Sequence, residues 1–133
     1  MLNTDFAGRS LPATDPVEIA PEAVSAFTRS LGLADTSSVP PTFLVSLTLP
    51  DFGRFVRDPE LGLDFAKVLH REQTFRFHRQ PRVGDVVTCT PRIESIKTVA
   101  GNDLLTAVTR VATSEGEPIA DVTMVLFVGG DES

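Results

Sequence analysis

The sequence is poor in the residues that build disulfide-linked, metal-bound or membrane-spanning proteins. It has one cysteine, Cys89, so no internal disulfide can form, and its two histidines would need carboxylates to complete any metal site. No apolar run approaches the roughly 18 residues that a membrane-spanning helix needs. Acidic residues outnumber basic ones by 18 to 12, which gives a net charge of -6. This balance argues against a general nucleic-acid binder and against docking on an anionic membrane.

What the sequence does contain is enough for one folded domain. Its 133 residues are 41% hydrophobic and 23% charged, the balance of a globular protein with a real core. Residues 1–14 hold no apolar run of signal-peptide length, and no P-loop or dinucleotide motif is present. We expect one domain over residues 1–128, a flexible tail over 129–133, a cytoplasmic location and no cofactor or metal.

The first half of the chain is helical and divided by prolines. Residues 17–19 indicate a short strand, and a helix is expected from Pro21, a residue favoured at the first helical position, to about Gly32. Three apolar residues recur at helical spacing and are expected to face the core: Val24, Phe27 and Leu31. Residues 41–49 follow a double proline, are nearly all apolar or small, and precede Pro50. They predict a buried helix of about two turns, with a buried strand as the alternative.

The second half of the chain is a β-meander. Residues 68–79, 86–98, 104–113 and 119–128 predict strands joined by tight turns. In the first strand, alternation places Phe75 and Phe77 on one face and His70, Glu72 and His78 together on the other. A meander with one apolar face needs a cover, and helix 41–49 can supply it. The expected architecture is therefore α+β: a hot-dog fold, in which a curved antiparallel sheet wraps around a central helix.

Two segments resemble a known family in their order and spacing. Val-Pro-Pro-Thr-Phe-Leu (39–44), followed by Val-Leu-His-Arg-Glu-Gln-Thr-Phe-Arg-Phe-His-Arg-Gln-Pro-Arg-Val-Gly-Asp (68–85), is similar to the N-terminal half of MaoC-like dehydratases. It also resembles the non-catalytic hot-dog subunits of bacterial (R)-specific 3-hydroxyacyl thioester dehydratases. The resemblance implies a double hot dog. One half carries Asp and His in a Gly-Asp-x-Asn-Pro-[LIV]-His motif, and the other half shapes the acyl-chain tunnel.

This sequence lacks the catalytic motif. Its Gly-Asp pairs are 84–85 and 130–131, and neither is followed by Asn-Pro. The segment where the resemblance places the motif, between the first helix and Pro40, is limited to residues 33–39. We therefore predict no catalytic residue in this chain, and whether it has activity alone is left open.

Substrate-binding candidates lie at the start of the central helix. Helix N-termini present free N–H groups and a partial positive charge, which suit a thioester carbonyl or its enolate. Pro41, Thr42 and Phe43 are the candidates there. The alternative is that the double proline simply begins a buried helix that Thr42 caps.

Basic residues are concentrated in one short segment. Five of the twelve lie within positions 67–82, with only Glu72 against them: Lys67, Arg71, Arg76, Arg79 and Arg82. Such a basic patch suits a phosphopantetheine, coenzyme A or an acidic carrier protein, and Arg79 and Arg82, which flank Pro81, are the candidates for contact with the pantetheine phosphate. The alternative is a solubilising strand face. We interpret Gly84-Asp85 as a turn and Cys89 as a buried, inert residue.

Three functions remain open from the sequence. The first is a dehydratase or hydratase subunit that forms the acyl-tunnel wall beside a catalytic hot-dog partner. The second is a homodimeric acyl-CoA or acyl-carrier-protein binding module without chemistry. The third is a hot-dog thioesterase, which generally needs an acidic residue on or beside the central helix. Residues 41–49 contain none, and Asp51 follows only after Pro50. The expected partners are an acyl thioester and a second hot-dog chain, identical or different.

Overall fold

The computed structural model describes residues 1–34 and 38–130. Its α-helices and β-strands are, in chain order, β1 (Val17–Glu18), α1 (Pro21–Ser30), α2 (Val45–Val56), β2 (Val68–Phe77), β3 (Val86–Val99), β4 (Asn102–Thr113) and β5 (Pro118–Val128), and two short 3-10 helices cover Thr4–Phe6 and Phe65–Lys67. All four long strands occur where alternation predicts them. Part of the predicted loop 33–39 and most of the predicted tail 129–133 lie outside the described residues.

The five strands form one antiparallel sheet in the order β1-β3-β4-β5-β2. Strands β3, β4 and β5 are consecutive because tight turns join them, and Ala100, Gly101 and Gly116 take positive φ values of 52°, 80° and 94° in those turns. Strand β2 precedes this meander in the chain but pairs with its last strand. It therefore lies at one edge of the sheet.

The opposite edge of the sheet is covered by the N-terminal segment. Residues 8–14 run along β3: Gly8 N–H donates to the Ile93 carbonyl at 2.7 Å, and Thr14 N–H donates to the Cys89 carbonyl at 2.9 Å. Strand β1 continues this cover by pairing Val17 with Val87. In the described part of the chain no strand pairs with the outer side of β2, so the two edges of the sheet differ.

The concave face of the sheet wraps around α2, and the core forms two clusters there. One is built on the second half of the helix and contains Leu2, Phe6, Phe52, Phe55, Leu61, Ile93, Leu105, Ala107, Met124, Leu126 and Val128. The other surrounds the helix start and α1 and contains Ile19, Val24, Val39, Phe43, Leu44, Val87, Cys89, Val111, Ile119, Ala120 and Val122. The expected helix-in-sheet packing is confirmed.

The bounds predicted for the central helix are wrong at both ends. Residues 41–44 form successive turns, in which Phe43 N–H donates to Pro40 and Val45 N–H to Thr42, and the α-helix begins only at Val45. It then continues through Pro50 to Val56. A proline removes the N–H that would donate to the carbonyl four residues earlier, here that of Ser46. Ser46 is exposed, so water can satisfy that carbonyl.

Two predicted core positions also differ. Leu31 is 50% exposed because α1 ends at Ser30, and Thr28 takes the buried position one turn after Val24 instead. Leu49 is 45% exposed, so the central helix is not buried on every side. Its exposed leucine lies on the side of α2 that faces β2.

Candidate functional site

An apolar groove lies between α2 and the edge strand β2. Its cavity measures about 280 Å³ and is lined by Leu49, Phe52, Gly53, Val56, Phe65, Val68, His70, Met124 and Leu126. Positions 49, 52, 53 and 56 recur at helical spacing and therefore form one face of α2. Gly53 has no side chain, which leaves room in the middle of that wall. An apolar wall of this kind suits a hydrocarbon chain.

A β-bulge in β2 supplies the strand side of the groove. The pairing with β5 shifts between His70 and Glu72, so that His70 faces Leu126, Glu72 faces Val125, and Arg71 is the extra residue. His70 consequently lines the groove, whereas Glu72 and His78 belong to the outer face, where His78 Nε2 lies 3.1 Å from an Asp121 oxygen. The prediction that these three residues share one face is wrong, because simple alternation fails at a bulge.

The outer side of the β2 edge is also apolar and exposed. Leu69 is 66% exposed and pairs with Phe127, while Phe65, just before the strand, is 69% exposed. Phe65 and Leu49 line the groove, whereas Leu69 borders a neighbouring shallow depression with Arg71 and Phe127. Exposed apolar residues beside an unpaired strand edge mark a surface that another chain can cover.

The three substrate-binding residues predicted near the helix start differ in their exposure to solvent. Pro41 and Thr42 are exposed, but Phe43 is buried at 3% exposure. Its ring packs edge-on against Phe27, with centroids 5.5 Å apart, and its N–H is used in the turn with Pro40. Phe43 can therefore contribute packing at this position, whereas Pro41 and Thr42 face outward.

Arg79 is held in place by two carboxylates. Its two terminal nitrogens donate to both oxygens of Asp85, at 2.8 and 3.1 Å, and its Nε donates to Glu117. These hydrogen bonds raise the pKa of Arg79, and the bond from Arg79 is the main cause that lowers the pKa of Asp85. Most donors of this guanidinium are occupied by carboxylates of the chain itself.

Arg82 is the more available of the two predicted arginines. Its side chain is exposed, whereas its backbone belongs to the turn: its N–H donates to an Asp85 carboxylate oxygen at 2.8 Å, and its carbonyl accepts from the Asp85 N–H at 3.1 Å. Asp85 thus organises the turn after β2 as expected for a Gly-Asp turn, with Gly84 at a φ of 95°. The turn fixes the backbone of Arg82 and leaves its charge at the surface.

The central helix carries a partly buried ion pair that sequence reasoning missed. Asp51 is 7% exposed, and Arg54 Nε donates to its Oδ1 at 2.8 Å. Arg54 Nη1 also donates to the carbonyl of Pro12, which ties the N-terminal segment to α2. Burial raises the pKa of Asp51, and Arg54 partly opposes that shift. The spacing of an acid and an arginine three residues apart was the available signal, but the helix was expected to end at Pro50.

Cys89 is buried at 4% exposure, as predicted. Burial, together with the nearby negative charge of Asp51, raises the pKa of its thiol to about 12. Within residues 1–34 and 38–130 no helix is long and apolar enough to cross a membrane, and no three His, Cys, Asp or Glu side chains are grouped as a metal site.

Solved structures with the same architecture identify the fold. The HadBC (3R-hydroxyacyl-ACP dehydratase) complex of Mycobacterium tuberculosis matches with a TM-score of 0.82 and 20% identity, over 95% of this chain and 99% of that chain. A MaoC-like dehydratase matches with a TM-score of 0.79 and 20% identity, over 94% of this chain and 42% of that one. The sheet and helix therefore form a hot-dog fold, which confirms the predicted fold class.

Sequence comparison then gives the family. The chain belongs to the FAS1-like family, dehydratase domain region, whose model matches residues 5–122. A relative, the UPF0336 protein of Thermobifida fusca (strain YX), is 36% identical over 146 residues, which span 98% of this chain and 95% of that protein. The resemblance noted from the Pro-Pro-Thr-Phe and His-x-Glu-Gln segments is confirmed at the level of the dehydratase family.

Proposed function

We propose that this chain is the tunnel-wall subunit of a 3-hydroxyacyl-thioester dehydratase or enoyl-thioester hydratase. It would pair along β2 with a second hot-dog chain that carries the Asp and His of the reaction. The observation that supports this most is an apolar groove that opens beside an unpaired strand edge, in a chain whose sequence lacks the catalytic motif.

In this proposal, the groove holds the hydrocarbon part of the substrate. Burying a methylene group contributes about 0.8 kcal/mol, so a medium-length chain gains several kcal/mol from such a wall. The groove has no acid–base pair of its own among its lining residues, since His70 is its only titratable group. The partner's Asp and His would move the proton at C2 and add or release water at C3.

The polar end of the thioester would lie toward the turn after β2. Arg79 N–H donates to the Ile119 carbonyl, and Ile119 shares a core cluster with Phe43, so this turn and the helix start are at the same end of the sheet. We assign the phosphate contact to Arg82, because Arg79 is already bound to Asp85 and Glu117. Pro41 and Thr42, which face outward, would contact the pantetheine arm.

The comparisons support a two-chain arrangement without assigning it to this chain. HadBC is described as a 3R-hydroxyacyl-ACP dehydratase complex, and this chain covers 99% of the matched HadBC chain. The longer MaoC-like dehydratase is matched over 42% of its length. Both observations agree with a chain that provides one hot-dog unit of a larger assembly.

Loss of enoyl absorbance with crotonyl-CoA tests the proposal. The purified chain alone should leave the absorbance unchanged, and addition of a hot-dog chain with the Gly-Asp-x-Asn-Pro-x-His motif, from the same host, should start hydration at a rate above that of the motif-bearing chain alone. Hydration by the lone chain contradicts the proposal. Equal rates with and without this chain contradict it as well.

Two other functions give different results in the same experiment. A homodimeric binding module would bind the acyl thioester without accelerating any partner. A thioesterase would release free coenzyme A, and the position of Asp51 inside α2 is the observation that favours it. Asp51, however, has a 3% exposed side chain bound to Arg54, so we expect no thiol release. Release that is lost in Asp51→Asn but kept in Asp58→Asn would establish the thioesterase instead.

A further inference from the structure

A glycine occupies the interior of the central helix, where glycine is unfavourable. Gly53 lies between Phe52 and Arg54 in the second half of α2. Apart from proline, glycine is the least favourable residue in a helix interior, because it has the most backbone freedom to lose on folding. A glycine at this position is therefore expected to serve the backbone conformation, the local packing or the site.

The backbone conformation does not require glycine at position 53. Six glycines of the described chain have positive φ values, and Gly53 is not among them. Its carbonyl accepts the regular helical hydrogen bond from the Arg57 N–H, at 2.9 Å. The helix is neither strained nor interrupted at Gly53, so any L-residue that favours helices is compatible with its backbone.

The local packing does not require glycine either. Among the described residues, the atom nearest to a Cβ added at Gly53 is Nη1 of Arg57, at 3.0 Å, and its guanidinium carbon follows at 3.9 Å. Arg57 is exposed, so the end of this long side chain can turn away into solvent. We therefore expect alanine at position 53 to fit and to stabilise the helix.

The apolar groove is the feature that a side chain at position 53 would change. Gly53 is part of the helix wall of this groove, which runs from Leu49 to Val56 over about 10 Å at 1.5 Å per residue. In the proposed function the thioester lies toward the helix start, so the acyl chain would enter near Leu49 and end near Val56 and Phe65. A side chain at position 53 would narrow the groove beyond the first carbons of that chain.

We propose that Gly53 is a specificity-determining residue, which keeps the groove wide enough for acyl chains longer than four carbons. The inference rests on the proposed function, since it takes the groove as the site of the acyl chain. It has two consequences that a purely structural glycine would not have. A larger side chain at position 53 selects against long acyl chains and spares short ones, and alanine at position 53 makes the fold more stable.

Hydration of crotonyl-CoA and of trans-2-octenoyl-CoA, by this chain in complex with the motif-bearing partner, tests the inference. Gly53→Leu should lower the ratio of kcat/KM for octenoyl-CoA to kcat/KM for crotonyl-CoA at least fivefold. The loss should lie mainly in a higher KM for octenoyl-CoA, because the contacts with the distal carbons are the same in the ground state and the transition state.

Two further variants separate the groove from the helix. Gly53→Ala should lower the same ratio by less than Gly53→Leu and raise the melting temperature of the isolated chain by about 2–4 °C. Arg57→Ala removes the side chain that a Cβ at position 53 would meet, and Arg57 does not line the groove. It is the matched control and should keep the wild-type ratio.

An unchanged ratio in Gly53→Leu, with crotonyl-CoA still hydrated, overturns the inference and leaves the proposed function standing. Equal losses with both substrates, together with weaker association of the two chains, overturn it as well, because Gly53 would then be a contact for the partner. If Gly53→Leu does not fold, Gly53→Ala decides: a lower melting temperature would show that the fold itself requires this glycine. Absence of crotonyl-CoA hydration by the wild-type complex contradicts the proposed function itself.

Discussion

At the residue scale, the outcome for the two arginines shows how neighbours decide what a charge can do. Arg79 and Arg82 have the same side chain and are three positions apart, and the sequence treats them alike. In the fold, Asp85 lies where it binds the guanidinium of Arg79 and the backbone of Arg82. No local sequence pattern predicts the ion pairs of Arg79, because Glu117, which also binds it, lies far along the chain in the turn just before β5.

This difference predicts unequal effects on stability. Arg79→Ala should reduce the free energy of unfolding by about 1 kcal/mol at pH 7, since it removes charged hydrogen bonds between partly buried groups. Arg82→Ala should change stability little, because its side chain is exposed. Urea unfolding of both variants, followed by circular dichroism, measures the difference.

The same variants predict a pH dependence. The folded-state pKa of Asp85 is lowered, so its stabilising contribution is fully present above the unfolded-state pKa of about 3.9 and is lost as the pH falls through the lower folded-state value. The stability gap between wild type and Arg79→Ala should therefore be constant from pH 7 to 5 and shrink below about pH 4. A gap that stays unchanged down to pH 2.5 would show that Asp85 is not the group involved.

At the element scale, regular alternation predicted the strands well, and irregularities caused the errors. The strands are long, with buried residues at every second position, as in β4 from Asp103 to Val111. The β2 bulge and the passage of α2 through Pro50 depend on tertiary contacts. The bulge is set by register with β5, and Pro50 is tolerated because it is exposed. These two irregularities place His70 and Asp51, so the site was harder to predict than the fold.

The exposed edge strand β2 is predicted to form the contact with a second hot-dog chain. Leu69→Lys places a charge on the exposed apolar surface of β2 and should abolish association with a second hot-dog chain while leaving the melting temperature of the isolated chain within about 2 °C. Val99→Lys, at a residue 56% exposed at the far end of β3, is the matched control and should associate normally. Size-exclusion chromatography with light scattering distinguishes the two, and equal association of both variants would move the interface away from β2.

At the scale of the whole molecule, the two sheet edges have opposite characters. The N-terminal segment covers β3 through hydrogen bonds and through the Arg54 contact to Pro12, while β2 is left with an open edge, exposed leucine and phenylalanine, and an apolar groove. The β3 edge of the sheet is therefore covered by the chain itself, whereas the β2 edge is exposed. The absence of the catalytic motif could be established from the sequence alone, but the asymmetry of the edges needed the strand order.

Hydrogen–deuterium exchange of the full chain, with and without the motif-bearing partner, tests this asymmetry most directly. Pairing along the open edge should slow amide exchange in peptides from residues 68–77 at least tenfold, because new backbone hydrogen bonds form there, and should leave peptides from 86–99 unchanged. Protection confined to residues 86–99, or a complex that forms with no change in β2, would contradict the account.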